Sequence, residues 1–489
     1  MKKIVIIALI VLCLVTVGLF PLDLFVFSVP EWVIYTLLGV IAALTVLIFI
    51  LHKKKAPKIT AVILTFLTAA AAFLGIYIDP YFNSVSLRSS TERTLPYDTV
   101  IPADKAVEDV EYVIHYFLKD HAVLKTEPGR EAVVLKTASD VESKIKQAGS
   151  VTVNELCAYI ETALSQLGDA HTSAYTRFAK PLFLKHYAKW QTGSWKIAAI
   201  NGITIKELLE QKKDLFSFEA ESWELENLKA GLVKLQGLDY LGFDVSSGIT
   251  YTYENDEGEV QEETYFPDDF VTYEKYYELN PESTNENEEP FVSFTSDEEK
   301  SLALLTLREC NYNTEYINTV RDMFTQVKEK GIQNVAVDLR GNGGGNDGTA
   351  IEFIRYLDTD GFSIASETMR LGTFMTAFSA DHVVNERYSD LTFKGNVYIL
   401  TSSGSFSSAM LFPQYIKDNG LGTLIGEPPG NDPNGYGEIA TFRTPNAGIF
   451  FSISTKRFYR ADRNCTDKYV MPDIACDADS ALDVLYDLI

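Results

Sequence analysis

Three stretches hold residues whose types and spacing suit hydrolytic chemistry. Residues 397–410 read V-Y-I-L-T-S-S-G-S-F-S-S-A-M: a run of β-formers, a serine and glycine turn, then a helical pattern continued by Leu411, Tyr415 and Ile416. That order puts Ser407 in the first helical turn, where unpaired N–H groups and the positive end of the helix dipole favour an alkoxide or the oxyanion it creates. The plainer reading makes Ser402, Ser403, Ser405, Ser407 and Ser408 turn and N-cap residues. The second stretch, D-L-R-G-N-G-G-G at 338–345, closes an apolar run. Its glycines permit positive φ and let backbone amides approach a ligand, so it reads either as an elaborate turn or as an oxyanion-binding loop facing Ser407. It is not a phosphate loop, because no lysine follows and G-x-G-x-x-G is not matched. The third stretch, D-A-H-T at 169–172, puts His171 on a short polar loop. A histidine there is either structural or, with Asp or Thr as hydrogen-bond partners, a base.

Regular elements must carry these stretches. Apolar residues at helical spacing predict a helix over 104–121, and a capping box at 152–155 opens a second that Gly168 stops, immediately before the histidine loop. Residues 180–298 change character, with a hairpin turning at Asn201 and Gly202, a short helix at 206–211 and strands near 250–253 and 265–266. The acidic run 280–290 lacks apolar periodicity and reads as a loop or linker. From 299 the pattern alternates: strand 302–307, helix 314–330, strand 334–339, helix 349–357, strand 397–400, and the Ser407 helix. The expected organisation is a membrane anchor at 1–79, an N-terminal helical part at 80–179, a β-rich insert at 180–298 and an α/β core at 299–489.

Three nearly uncharged runs, 4–20, 33–51 and 59–78, are each near the ~20 residues a helix needs to cross a bilayer. No small-residue cleavage pattern follows the first, and the second and third argue for retained spans. Lys2 and Lys3 precede the first run, and Lys53, Lys54, Lys55 and Lys58 lie between the second and third. By the positive-inside rule both groups are cytoplasmic, which puts the chain after residue 78 outside. A formal net charge of -24 argues against a nucleic-acid partner. The five cysteines and six histidines show no zinc spacing, so no metal or other cofactor is expected. Cys465 and Cys476 are close enough for a local disulfide, with two free thiols as the alternative.

Taken together, 168–172 (G-D-A-H-T), 338–345, 405–409 (S-F-S-S-A) and 472–474 (P-D-I) resemble the S41 serine peptidases related to C-terminal processing proteases and the tricorn core. The resemblance implies a ClpP/crotonase-like α/β core of stacked ββα units and a peptide or protein substrate. It puts the nucleophile on Ser407 and the oxyanion amides on Gly344, with Gly345 as the alternative, and on Ser408. The processing proteases carry a catalytic lysine in a loop that here, at 426–437, contains none. The chain is therefore similar to the tricorn-like branch, in which a histidine is the base, implying His171. A late acidic residue orients that base, and Asp462 and Asp467 both stand before Pro472. A PDZ domain is not evident beyond a fragment at 195–209. On this reading activity rises through a pKa near the ~6.5 of unperturbed histidine, shifted upward by a carboxylate partner. The different-class alternative is a sensor module on the same fold that binds a peptide or ligand without cleaving it.

Overall fold

The computed structural model describes residues 2–88, 91–185, 195–280, 290–379 and 382–489. Most of the acidic run, 281–289, and His186 lie outside the described residues. Three helices, Lys2–Phe25, Glu31–Leu51 and Lys55–Ile78, are long and apolar enough to cross a membrane. The chain then passes directly into the folded part. Tyr81 Oη donates to Glu438 Oε1 (2.7 Å), and the Val85 N–H donates to the Thr441 carbonyl (2.6 Å).

The core is a mixed α/β structure around a six-stranded sheet ordered Val292–Asp297, Leu302–Leu307, Asn334–Asp338, Asn396–Thr401, Thr423–Gly426 and Ile474–Ala475. The first pair is antiparallel and the rest run parallel. Parallel strands buried on both faces read as continuous apolar runs, which is why V-Y-I-L and N-V-A-V were visible as strands. The Thr314–Lys330 and Ser408–Asp418 helices cover one face, packing Phe324, Tyr356, Phe353 and Phe412 into one cluster. Register matters most at the carboxyl ends: Asp338 stands opposite Leu400, so the glycine loop and the serine turn leave the sheet side by side, the usual place for a site in such sheets.

A second, antiparallel sheet combines Phe374–Phe378, Ser366–Leu371, Phe450–Tyr459 and Tyr436–Arg443, and the two-residue strand Ala174–Tyr175 joins it beside Phe450. Three helices, Ala103–Asp120, Ala132–Ala148 and Val153–Leu164, bury Val110, Phe117 and Ile160 against its Phe442 and Phe451. The capping box at Thr152 and Glu155 is formed, and Gly168 ends the run with φ 64°. Glu161, on the Val153–Leu164 helix, accepts the Ala174 N–H (2.6 Å) and so ties that helix to the strand after the histidine loop.

Burial pushes the Glu161 carboxyl up to about 8. An unfolded glutamate ionises near 4.3 while the folded one stays protonated, so folding takes up a proton. The stability from Glu161 is therefore present below about 4.5 and lost as pH rises toward about 8. Thermal melts of the detergent-solubilised protein between pH 5 and 8 should show a falling midpoint that Glu161→Gln flattens. Parallel pH slopes in the two proteins would contradict this.

The segment expected to be β-rich carries a four-stranded sheet, Ile203–Thr204, Trp195–Ile200, Ile249–Asn255 and Val260–Tyr265, turning at Asn201 and Gly202. It also carries the helices Ile205–Lys212, Glu221–Leu232, Leu235–Tyr240 and Tyr273–Leu279, so it is mixed rather than β-rich. Its own core joins Leu228 and Leu232 of the second of these to Ile249 and Tyr251. All five cysteines are free thiols, which settles the alternatives at Cys465 and Cys476 against the disulfide.

Candidate active site

Ser407 sits one residue before the helix Ser408–Asp418, as its N-cap, with φ 56° and ψ -122°. This is a rare conformation for a side-chain-bearing residue, and such strain persists only where surrounding bonds over-determine it. Here they do. The Ser407 N–H donates to Asn431 Oδ1 (2.9 Å) and the Phe406 N–H to the Asn342 carbonyl (2.9 Å). Ser405 Oγ donates to the Leu339 carbonyl (2.8 Å), while Ser402 Oγ accepts from the Gly341 N–H (2.9 Å). The serines surrounding Ser407 are thus the turn residues of the plainer reading, and they bind the glycine loop to the strained residue among them. Asp338 and Arg340 are paired (2.7 Å), and Arg340 Nη1 donates to the Ala478 carbonyl, so this part of the motif anchors the strand end.

Two of the glycines approach the serine turn and the neighbouring chain closely. Gly344 has φ 104°, and a Cβ there would lie 2.7 Å from both the Phe406 carbonyl oxygen and Ser407 Cβ. Its N–H, expected to face an oxyanion, instead donates to Asn342 Oδ1 (2.8 Å). That corrects the assignment to Gly344: the residue supplies close approach, and its amide is spent within the loop. Gly345 has φ 137° and its carbonyl accepts from Ser408 Oγ (2.9 Å). Among the described residues no backbone acceptor is bonded to the N–H of Gly345 or Ser408, both of which line the same cavity as Ser407.

His171 and Ser407 line one cavity of about 440 Å³ with Asn431, Asp432 and Glu438. The histidine loop is stitched in place: Ser452 Oγ donates to the His171 carbonyl (2.6 Å), and Asp169 Oδ1 accepts the His171 N–H (3.0 Å). Asp169 Oδ2 meets Nε2 of His121 (3.0 Å), whose Nδ1 accepts the Val123 N–H, so Nε2 carries the proton. Burial alone would raise Asp169, but the hydrogen bond from His121 opposes it and holds the carboxyl below the usual range. The imidazole of His171 lies against Phe406 (centroids 4.5 Å apart, 34°), and Phe406 stacks on Trp223 of the insert (4.1 Å, 14°). Both His171 ring nitrogens are shielded from solvent and without a partner. Burial lowers the His171 pKa, and Asp169 opposes this only in part. The expected upward shift is thereby corrected to a downward one, because no carboxylate bonds the ring.

Neither acidic candidate reaches the ring. Asp462 and Asp467 belong to a loop wrapped around the buried Arg460–Asp418 ion pair (2.7 Å) at the far end of the serine helix. The Asp462 N–H donates to Asp418 Oδ2, its Oδ1 accepts from Asn464, and Asp467 is exposed. Neither lines the cavity. Instead Glu219, from the insert, brings a carboxylate oxygen into a group with atoms of Asp169 and His171 in which all three lie within 4.8 Å of one another. Glu219, His121, Asn342, Asn431 and Trp223 were not foreseen. Only Asn342, inside the glycine loop, and Asn431, in the loop where a lysine was sought, stood in stretches the sequence had already marked.

A strained serine at a helix N-terminus thus shares one cavity with part of the glycine loop and a shielded histidine. Residues 301–476 match the model of peptidase family S41. The crystal structure of mature CPAF aligns with 79% of this chain and 96% of its own at 12% identity and a TM-score of 0.56. That of CPAF complexed with lactacystin aligns with 79% and 96% at 10% and 0.55. These likenesses show the fold. The photosystem II D1 C-terminal processing protease aligns with 78% of this chain and 96% of its own at 12% identity and a TM-score of 0.44, too distant to carry an argument. No curated protein matches the chain.

Proposed function

We propose that the protein is a membrane-anchored serine peptidase whose catalytic part faces the extracytoplasmic side, with Ser407 as nucleophile and His171 as base. The observation that carries this reading is the strained Ser407 in one cavity with a histidine whose ring nitrogens have no other partner. Ser407 Oγ attacks a peptide carbonyl carbon while a ring nitrogen of His171 takes the hydroxyl proton. The tetrahedral oxyanion is held by the N–H groups of Gly345 and Ser408, the latter aided by the helix dipole. His171 returns the proton to the leaving amine, and a water molecule, deprotonated in the same way, then hydrolyses the acyl-serine. The orientation rests on the lysines before the first span and between the second and third.

An impermeant fluorophosphonate probe applied to intact cells tests both parts. Wild type should label and Ser407→Ala should not. Labelling that appears only after permeabilisation would reverse the topology. Equal labelling of wild type and Ser407→Ala would remove Ser407 from the chemistry and favour the sensor reading.

A further inference from the structure

The geometry points to Glu219, supplied by the insert, as the carboxylate that positions His171, in place of any acid from the C-terminal segment. This rests on the Ser407 and His171 reading above.

Asp169 is nearer in sequence, but its oxygens are taken by the His171 N–H and by His121 Nε2, so it holds the loop and not the ring. Glu219 differs. Its Oε2 accepts the Asp432 N–H (2.5 Å), while Oε1 is shielded from solvent and has no partner. A carboxylate oxygen of Glu219 and a ring nitrogen of His171 lie within 4.8 Å. Glu219 and His171 thus lie side by side, and each keeps a shielded polar atom, Oε1 on one and the ring nitrogens on the other, unsatisfied at a cost of about 1–3 kcal/mol. A modest turn of the imidazole satisfies both, and catalytic hydrogen bonds commonly tighten this way only when substrate binds.

The surroundings hold Glu219 for that purpose. Its carbonyl accepts from Tyr469 Oη (3.0 Å) and Lys468 Nζ (3.4 Å), so the late acidic loop clamps the backbone of the residue whose role it was expected to fill. Four residues on, Trp223 stacks on Phe406, whose ring lies against His171, and Ser403 Oγ donates to Glu226 Oε1 (3.4 Å). The insert thus reaches the site through an aromatic stack and a hydrogen bond as well as the carboxylate. Burial and the charge of Asp169 raise the Glu219 carboxyl, with the hydrogen bond from the Asp432 N–H and the charge of Arg457 opposing. A ring N–H turned onto Oε1 favours the ionised form, which then stabilises the imidazolium formed during attack.

The test uses the full-length protein in detergent, reading kcat and KM for a peptide substrate from pH 5 to 9 alongside thermal melts. Glu219→Gln should melt as a folded protein, keep KM, lose about 10²–10⁴ in kcat and shift the acid limb of the profile to lower pH. Glu219→Asp should recover part of the loss. A Glu219→Gln protein with wild-type kcat and an unmoved acid limb overturns the assignment. If Glu219→Gln melts early, Glu219→Asp decides, since a retained carboxylate no better than the amide also overturns it. Ser407→Ala, assayed in parallel, separates the two levels: its continued turnover sinks the serine reading itself, whereas its inactivity beside an unimpaired Glu219→Gln sinks only the role of Glu219.

Discussion

Turnover of a peptide substrate is expected to fall about 10⁶-fold in Ser407→Ala and nearly as far in His171→Ala, with the double variant no worse than either. The non-additivity follows from the chemistry: without the hydroxyl there is nothing for the base to deprotonate, and without the base the hydroxyl is a poor nucleophile at neutral pH. What survives is whatever the amides of Gly345 and Ser408 give to attack by water. The pH profile supplies the second half of the result. The imidazole of His171 is withdrawn from solvent, which disfavours its charged form, so its pKa lies below the ordinary 6.5. Protonated His171 is inactive as a base, so kcat/KM, which reports the free enzyme, should rise with pH through a midpoint below 6.5. Steady-state kinetics from pH 4.5 to 8 check this. Activity still climbing between 7 and 8 in the wild type, or a His171→Ala protein with more than about 1% of wild-type kcat, would contradict the assignment.

The next largest effect is expected at Gly344. Its φ of 104° is costly for any residue with a Cβ, on the order of 1–2 kcal/mol, and a methyl group there would press on the Phe406 carbonyl and Ser407 Cβ at 2.7 Å and on the Ser408 nitrogen at 3.0 Å. Every atom in that list belongs to the nucleophile or its immediate backbone, so relief of the clash must move the reacting hydroxyl. A displacement near 1 Å costs about 10² in rate. Gly344→Ala should therefore lose about 10² in kcat with little change in KM, while its thermal midpoint drops by only a few degrees. A folded variant within threefold of wild-type kcat would show that the serine turn tolerates the push and that the close packing has no catalytic meaning.

The parts of this protein that could be read from the sequence are those whose physics is local. The strand ending at Asp338, the helix Thr314–Lys330 and the serine helix announce themselves through apolar runs, 3.6-residue spacing and the glycine or serine turns that end them. His171 was found because a capping box and a stop glycine bracket the helix before it. The choice between the Gly344 and Gly345 amides stayed open, because a run of glycines does not say which N–H a neighbouring asparagine will consume, and Asn342 consumes that of Gly344. The two acidic candidates stand away from the cavity for a different reason. Asp462 and Asp467 stand at the right point in the chain but answer to the buried Arg460–Asp418 pair, while Glu219 arrives from an insert whose docking depends on the distant stack of Trp223 on Phe406. Contacts between segments some 200 residues apart leave no periodic mark.

The junction at Tyr81 fixes how far this protease can reach. The third span ends at Ile78, and three residues later a tyrosine hydroxyl is bonded to Glu438, a residue that lines the same cavity as Ser407. A flexible tether would let the catalytic part sweep a volume that grows with its length, but here there is no tether to extend. With the three helices in a bilayer, the cleft is held close to the lipid headgroups, like a blade fixed to a bench. A scissile bond must travel to that height to be cut, so polypeptide emerging from the same bilayer starts within range, whereas a segment held far above the surface by its own folded stalk stays out of reach.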